Sequence, residues 1–299
     1  MEEIKDHLEI VIITYNRASL LQNTLHALNE SPFRACKITI LNNASTDDTL
    51  KVCDGFLDEF PDLTITTNKV NIGANANIMR ALETSNGNYT WILCDDDKYD
   101  FSDCDDFIEA VINEKAELIH VGANADVPWS FGGNLDIPRN LLKLGYPFFS
   151  FSSFVPCNVF KTKSFYLYII SGYNNIVNSY PHMPFFISFF ELNKPVYVVK
   201  HRVVEGRVGA QNYSYNNFFI WWLNTSLLLK TRKERSMMFI DPFRIKFSRK
   251  VFLFHIWSMY TIIRVKEQKI KHYDIFGAFP FLYSLVAASL CYIYFRIRE

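Results

Sequence analysis

Short apolar runs alternate with helical segments along the N-terminal third of the chain, and this alternation limits the fold more than any other feature. Leu8–Thr14 is rich in β-branched residues and suits a strand that is buried on both faces. Three shorter runs of similar character follow at Lys37–Leu41, Leu63–Thr67 and Tyr89–Cys94. The segments between them have helical spacing or N-cap residues, namely Ser19–Leu28, Asn43 to about Phe60, and Asn75–Thr84. This order predicts an α/β fold with a mostly parallel sheet flanked by helices.

Polar side chains follow three of these predicted strands at the point where each strand ends. Thr14–Arg17 follows the first strand, Asn42–Asn43 follows the second, and Asp95–Asp97 follows the fourth. In open parallel sheets, ligands bind beyond the carboxyl ends of the strands. The sequence therefore predicts a binding site at this edge of the sheet.

The last of these groups is a run of three consecutive carboxylates, Asp95, Asp96 and Asp97. Like charges so close together repel one another unless something neutralises them. Mg²⁺ and Mn²⁺ take oxygen ligands and commonly bridge carboxylates to substrate phosphates. The run indicates a divalent cation site for a phosphorylated substrate, and the alternative is a solvated cap at a helix N-terminus.

Four segments occur in an order and at a spacing that resemble family 2 of the glycosyltransferases. They are Ile10-Val-Ile-Ile-Thr-Tyr-Asn-Arg17, Ile40-Leu-Asn-Asn-Ala-Ser-Thr-Asp-Asp48, Asn71-Ile-Gly-Ala-Asn-Ala-Asn77 and Trp91-Ile-Leu-Cys-Asp-Asp-Asp97. The resemblance covers roughly residues 8–125. It implies the Rossmann-like GT-A fold and an inverting transfer of sugar from a nucleoside diphosphate, as in bacterial O-antigen and capsule synthesis.

The resemblance also implies where the nucleotide sugar lies. The expected contacts are Thr14, Tyr15, Asn16, Arg17, Asn43, Asn71, Gly73, Asn77, Asp95 and Asp96. Asn43 stands where many members of the family have an aspartate that holds the base, and Asn42 also replaces a frequent aspartate. An amide still pairs with a base edge because it has both a donor and an acceptor, so the identity of the base stays open.

Asp95 and Asp97 match the metal-binding DxD pair of the family. The resemblance implies that Asp97 is a catalytic residue and binds Mn²⁺ or Mg²⁺. Asp95 is expected to bind the metal as well, and to contact the ribose or the sugar of the donor. Asp96 shares either role.

The general base is harder to place, because the stretch Asn178–Glu191 lacks the Glu-Asp pair that inverting members often have at the acceptor-side helix. His182 stands near the expected position, and an imidazole acts as a base near neutral pH. We therefore predict His182 as the catalytic base, although a histidine before a helix is often a cap or a packing residue. Glu191, Asp126 and Asp136 are the alternative candidates for the base. His201 or Arg207 is a candidate to contact the metal or the diphosphate.

The chain is predicted to divide at about residue 215. Residues 1–215 form the catalytic domain, with the nucleotide sugar bound by 1–125 and the acceptor by 126–215. Residues 216–299 form a helical, aromatic-rich C-terminal extension.

The formal net charge of zero conceals a strong polarity along the chain. Residues 1–126 hold 9 Lys and Arg against 23 Asp and Glu, a net −14, whereas residues 230–299 hold 14 against 5, a net +9. Ile275–Phe295 is an uncharged run flanked by basic residues and rich in tyrosine. It predicts attachment to an anionic membrane surface, and the alternatives are a single membrane crossing or a buried helix.

Six cysteines show no CxxC pair, and no secretory signal is recognisable, which favours a cytoplasmic enzyme at the inner face of the membrane. The predicted function is a metal-dependent hexosyl- or deoxyhexosyltransferase that acts on a glycan or polyprenyl-linked acceptor. A non-catalytic nucleotide-binding scaffold subunit and a nucleotidyltransferase are the alternatives. Nucleic acid is not an expected partner, because the basic residues lie among apolar runs.

Overall fold

The fold is seen in a computed structural model that describes residues 3–122, 129–207, 221–222 and 224–241. The chain divides into two compact units: Met1–Ile176 with Pro181–Gly209, and Val177–Tyr180 with Ala210–Glu299. The predicted division at residue 215 stays a prediction.

The strands of the described part are β1 (Leu8–Thr14), β2 (Lys37–Asn42), β3 (Leu63–Thr67), β4 (Tyr89–Cys94), β5 (Asp97–Tyr99), β6 (Leu118–His120), β7 (Asn134–Asp136), β8 (Asn158–Lys161), β9 (Val196–Val198) and β10 (Val204–Arg207). Its α-helices are α1 (Ala18–Asn29), α2 (Thr49–Gly55), α3 (Ala74–Thr84), α4 (Asp105–Ile112), α5 (Pro138–Lys143), α6 (Phe148–Ser153), α7 (Thr162–Tyr166), α8 (Ile169–Asn174), α9 (Met183–Leu192) and α10 (Arg232–Ile240). Short 3₁₀ helices lie at Glu3–Asp6, Pro32–Ala35, Val155–Cys157 and Ile176–Asn178.

The first unit is built on an 8-stranded sheet in the order β3-β2-β1-β4-β8-β6-β9-β7. β1 lies parallel to both β2 and β4, and β2 lies parallel to β3. β8 runs antiparallel to both β4 and β6, and β7 runs antiparallel to β9. The predicted mostly parallel α/β sheet is confirmed. β5 and β10 form a separate antiparallel pair.

β1 lies between β2 and β4 in the parallel part of the sheet, and its residues are buried on both faces. Ile10, Val11 and Ile12 of β1 are successive residues that point to opposite faces, yet each is at most 1% exposed. Leu21 and Leu25 lie four residues apart on α1 and are both fully buried, so this helix covers the sheet with its apolar stripe.

The second helix is shorter than its sequence suggested. It was expected to reach about Phe60, but α2 ends at Gly55, where a glycine is costly to the helix. The chain continues in tighter turns, with hydrogen bonds from the amide of Phe56 to Cys53 O (3.1 Å) and from that of Glu59 to Phe56 O (3.0 Å). The two rings at this end of the helix are buried, since Phe56 and Phe60 are 7% and 4% exposed.

Buried aromatic side chains are concentrated around helix α9 in this unit. Phe185, Phe186, Phe189 and Phe190 of α9 are each at most 1% exposed. Their rings pack on neighbours from other elements, for example with 5.0 Å between the centroids of Phe149 and Phe190. The phenylalanines therefore fill a protein core in this region.

The described part of the second unit is small. The Trp222 indole donates from Nε1 to Met238 O at 3.1 Å, and Thr231 with Glu234 forms a capping box at the start of α10. No helix among the described residues is long and apolar enough to cross a membrane. The run Ile275–Phe295 lies outside those residues.

Candidate functional site

A cavity of about 320 Å³ lies at the carboxyl ends of β1, β2 and β4. Its lining residues are Ile13, Thr14, Tyr15, Arg17, Asn43, Asn71, Gly73, Ala74, Asn77, Ile78, Cys94, Asp95 and Asp96. Apart from Asn16, this set contains every residue expected to contact the nucleotide sugar. The structure therefore brings those residues together, while their individual roles stay predictions. A larger cavity of about 450 Å³ on α1 and α2 shares no lining residue with it.

Asn16 connects the loops that follow β1 and β2. Its backbone is left-handed, with φ of 51°, a conformation that asparagine adopts more readily than most residues. Its side-chain oxygen accepts from the amide of Thr46 (2.7 Å), and its own amide donates to Ser45 Oγ (2.9 Å). This exchange ties together two edges of the cavity.

Arg17 lies against two acidic side chains. Its Nη1 is 2.8 Å from Asp95 Oδ1 and 3.0 Å from Asp96 Oδ2. The carboxylates are almost completely buried, at 2% and 7% exposure. Burial raises the pKa of Asp95, although the Arg17 guanidinium opposes that shift. One guanidinium facing two carboxylates leaves a negative surplus, which favours a further cation.

A group suited to a divalent cation lies at the same strand end. One possible ligand atom each from Cys94, Asp96 and Asp97 lies within 4.8 Å of the other two. The two carboxylates fit Mn²⁺ or Mg²⁺ equally, since both cations take oxygen ligands. Asp97 therefore lies with Asp96 in this group, whereas Asp95 Oδ1 contacts Arg17. The predicted pair of Asp95 and Asp97 as metal ligands stays a prediction.

The turn after β4 is held by Tyr99. Its hydroxyl donates to Cys94 O at 2.8 Å and accepts from the Cys94 amide at 3.0 Å. Burial raises the pKa of Tyr99 well above its usual value, so the phenol keeps its proton. Asp95, Asp96 and Asp97 also line a second cavity of about 160 Å³ that includes Tyr99.

On the β2 side, the cavity wall is formed by linked asparagine amides. Asn43 Nδ2 donates to Asn71 Oδ1 (2.8 Å), and Asn43 Oδ1 accepts from Asn68 Nδ2 (2.9 Å). Asn68 Nδ2 also donates to Asn77 Oδ1 (2.8 Å). These four side chains form the asparagine network, which joins the ends of β2 and β3 to the start of α3.

Asn68 was missed from the sequence because it lies in none of the four motif segments. It is 3% exposed, and its backbone amide donates to Asn42 O at 2.8 Å. Its position offered a usable signal, since it is the polar residue that directly follows β3 at the carboxyl edge of the sheet.

His182 does not line the cavity. It lies at the start of α9 with 3% exposure, and its Nε2 donates to Ser153 O at 3.0 Å. Burial lowers the pKa of His182 to about 4, so the imidazole is neutral at pH 7. Its role as the general base stays a prediction.

The other candidate acids and cations also lie outside the lining of this cavity. Asp136 Oδ1 accepts from the amide of Ile137 and from Asn140 Nδ2, which fixes the start of α5. His201 Nε2 is 3.3 Å from Asp103 Oδ2. Glu191 lies in α9, Arg207 pairs in backbone register with Asp97, and Asp126 lies outside the described residues.

The sequence also matches known proteins. Residues 9–154 match the family model described as Glycosyl transferase family 2. A stretch of 90 residues is 36% identical to the abequosyltransferase RfbV of Salmonella typhimurium. That stretch is 29% of this chain and 27% of the relative, so the match spans about a quarter of either protein.

Solved structures share the fold at low sequence identity. TarS 1–349 from S. aureus, in complex with UDP-GlcNAc, has a TM-score of 0.59 at 13% identity and covers 86% of this chain and 81% of its own. The mannosyltransferase PcManGT from Pyrobaculum calidifontis, in complex with GDP-Man and Mn²⁺, has a TM-score of 0.53 at 12% identity and covers 95% and 73%. The predicted GT-A fold is confirmed.

Proposed function

Through residues 9–154 this chain belongs to glycosyl transferase family 2, and we propose that it transfers a sugar from a nucleoside diphosphate donor in a divalent-metal-dependent reaction. The observation that carries the proposal is the 320 Å³ cavity, which has amides on one side and the Arg17–acid cluster on the other. A neutral polar wall suits a base, and a cationic group beside metal-binding carboxylates suits a diphosphate.

The acidic residues would hold the cation. Asp97 and Asp96 offer carboxylate oxygens next to Cys94, and Asp95 is held by Arg17. A bound Mn²⁺ or Mg²⁺ supplies positive charge that offsets the charge developing on the diphosphate leaving group. Arg17 is 34% exposed at its side chain, which leaves it able to contact a phosphate oxygen as well.

Five finer assignments belong to the same proposal. The transferred sugar is a hexose or deoxyhexose, and the name of the abequosyltransferase relative supports the deoxyhexose class. Transfer proceeds with inversion, and His182 serves as the general base. The acceptor is a glycan or polyprenyl-linked glycan of a surface polysaccharide. The enzyme works in the cytoplasm at the inner face of the membrane, which the net charge of +9 in residues 230–299 supports.

The test begins with binding of nucleoside diphosphates to the full chain, with and without Mn²⁺, followed by metal-dependent hydrolysis of nucleotide sugars. Asp97→Asn is expected to abolish turnover and metal-dependent nucleotide binding, while the circular dichroism spectrum stays unchanged. Asp58→Asn is the matched control, because Asp58 is exposed and lines no part of the cavity. Full activity in EDTA, or in Asp97→Asn, would contradict metal dependence.

A further inference from the structure

The three acidic residues lie in a turn whose two ends are joined by one hydroxyl group. The Tyr99 hydroxyl donates to Cys94 O at 2.8 Å and accepts from the Cys94 amide at 3.0 Å. A hydroxyl carries one donor hydrogen and two acceptor lone pairs, so it satisfies both backbone groups at once. The carboxylates lie in sequence between these two ends, and we call residues 94–99 the acidic turn.

Each end of the acidic turn belongs to a different sheet. Cys94 is the last residue of β4 and pairs in register with Ile13 of β1 in the large sheet. Tyr99 lies in β5 and pairs with Val204 of β10 in the two-stranded sheet. The register between β4 and β8 covers residues 89–91, so β8 does not extend along β4 as far as the turn. The Tyr99 hydroxyl therefore links β4 and β5 a second time, in addition to the chain that connects them.

The ring that carries this hydroxyl is held by aromatic neighbours. Tyr99 stacks on Phe101 with 5.8 Å between the ring centroids and an angle of 2° between the ring planes. It packs on Trp91 with 6.3 Å between the centroids and an angle of 89°. Trp91 is fully buried, and its Nε1 donates to Pro156 O at 2.8 Å. The hydroxyl thus reaches Cys94 from a fixed position and restrains the turn.

The acidic turn has to keep like charges close together. Cys94, Asp96 and Asp97 each place one possible ligand atom within 4.8 Å of the other two. Two carboxylates at such a distance repel each other, which favours a turn that opens. Arg17 offsets part of the charge through the side chains of Asp95 and Asp96. A restraint on the backbone of the turn opposes this opening before any cation binds.

On the basis of the proposed metal-dependent function, we propose that Tyr99 is a positioning residue for the divalent cation. Its hydroxyl fixes the separation of the two ends of the acidic turn, and with it the separation of the carboxylates of Asp96 and Asp97. Ligands that are held in place in advance lose less conformational freedom when the cation binds, so they bind it more tightly. Tyr99 acts through the backbone of Cys94, and it therefore affects the affinity for the cation more than the chemistry at an occupied site.

Tyr99→Phe tests this role, because it removes the hydroxyl and keeps the ring that packs on Phe101 and Trp91. Loss of a group that orients metal ligands typically weakens metal binding by about 10–100-fold, and we expect about tenfold here. The Mn²⁺ concentration that gives half-maximal turnover should rise by the same factor. The kcat at saturating Mn²⁺ should stay near the wild-type value, because the occupied site is the same.

Tyr89→Phe is the matched control. Tyr89 lies at the opposite end of β4, about 17 Å from Cys94 along the strand, and its hydroxyl also bonds to the backbone, donating to Ala116 O at 2.7 Å. Tyr89 is fully buried, whereas Tyr99 is only partly buried. A general loss of stability should therefore be at least as large in Tyr89→Phe, yet its affinity for Mn²⁺ should equal that of the wild type.

The experiment measures binding of Mn²⁺ alone to the full chain, by electron paramagnetic resonance of the free ion. Wild type, Tyr99→Phe, Tyr89→Phe and Asp97→Asn are compared, and urea unfolding in metal-free buffer gives the stability of each. The wild type is expected to bind Mn²⁺, and Asp97→Asn is expected to lose that binding, which assigns the bound ion to the acidic turn.

The outcomes separate this inference from the function on which it rests. Equal Mn²⁺ affinity in wild type and Tyr99→Phe overturns the inference while the transferase proposal stands. An equal loss of affinity in Tyr89→Phe also overturns it, and so does a Tyr99→Phe variant that is unfolded while Tyr89→Phe is folded. If the wild type binds no Mn²⁺, or Asp97→Asn binds it as tightly as the wild type, the proposed metal site itself fails.

Discussion

His182 shows how one residue can combine a suitable chemical type with an unsuitable position. Its imidazole is almost fully buried and donates from Nε2 to Ser153 O, so a base would have to use Nδ1. A general base works best when its pKa lies near the operating pH, and burial lowers the pKa of His182 to about 4. The base hypothesis therefore needs a direct kinetic test.

The hypothesis predicts that His182→Ala lowers kcat by about 10² with little change in donor affinity, because general-base catalysis typically contributes that much. The measurement is steady-state kinetics at pH 7 together with nucleotide titration. His120→Ala is the matched control, since His120 is also a buried neutral imidazole but is not a proposed base. If His182→Ala keeps near-normal turnover and loses only stability, His182 is a packing residue.

At the scale of elements, two buried imidazoles form hydrogen bonds to residues of helix α6. His120 of β6 contacts Ser152 Oγ through Nε2 at 3.3 Å and the Tyr146 hydroxyl through Nδ1 at 2.6 Å. His182, at the start of α9, contacts Ser153 O. Burial lowers the pKa of His120 to about 3, so both rings are neutral in the folded protein near pH 7.

This arrangement predicts sensitivity to mild acid. Histidine in the unfolded chain binds a proton near pH 6.5, whereas folded His120 and His182 do so only near pH 3 and 4. The unfolded state therefore binds more protons below pH 6.5, and the free energy of unfolding decreases as the pH falls toward 4. Each imidazole contributes at most about 1.4 kcal/mol per pH unit.

Urea unfolding at pH 7.5, 6.5 and 5.5 measures this effect. His120→Gln removes one of the two groups and should make the pH dependence shallower. A free energy of unfolding that stays constant between pH 7.5 and 5.5 would contradict buried neutral histidines.

The elements also show what the sequence could and could not predict. β1, β3 and β4 were predicted with the bounds that the structure gives them, because β1 and β4 are apolar runs and β3 is rich in β-branched residues. β8 was not predicted: it has four residues, and its antiparallel place between β4 and β6 depends on pairing with distant segments.

The candidate site was predictable in its location more than in its internal contacts. Strand ends and motif spacing located all but one of the proposed nucleotide contacts at the cavity. The hydrogen bonds that the side-chain oxygens of Asn43 and Asn71 already accept were not predictable, because their donors include Asn68 and backbone amides brought together by folding. A sequence identifies residue types, whereas the hydrogen bonds already used by each side chain decide what it still offers to a ligand.

At the scale of the whole molecule, the charge polarity supports the proposed attachment to an anionic membrane surface. Deleting residues 273–299 is expected to release the protein from anionic liposomes, because basic side chains near an anionic leaflet contribute about 1 kcal/mol each. Nucleotide binding should stay near normal, because the cavity is lined by residues between Ile13 and Asp96. Liposome flotation beside a nucleotide titration measures both.

Vesicles of neutral lipid are the control for this prediction, and the intact protein should not float with them. An intact protein that ignores anionic vesicles would rule out the membrane proposal. Unfolding of the truncated protein would instead assign the deleted segment to the protein core.

The two sides of the cavity differ in formal charge, and they should therefore respond differently to salt. The asparagine network has no formal charge, whereas Arg17 carries a positive charge on a side chain that is 34% exposed. Dissolved ions weaken interactions between exposed charges over about 8 Å at physiological ionic strength but hardly affect a buried amide hydrogen bond. Added salt should therefore lower the affinity for every nucleotide by a similar factor and leave their ranking intact. A site built in this way loses affinity for a nucleotide as the salt concentration rises but keeps its order of preference among nucleotides.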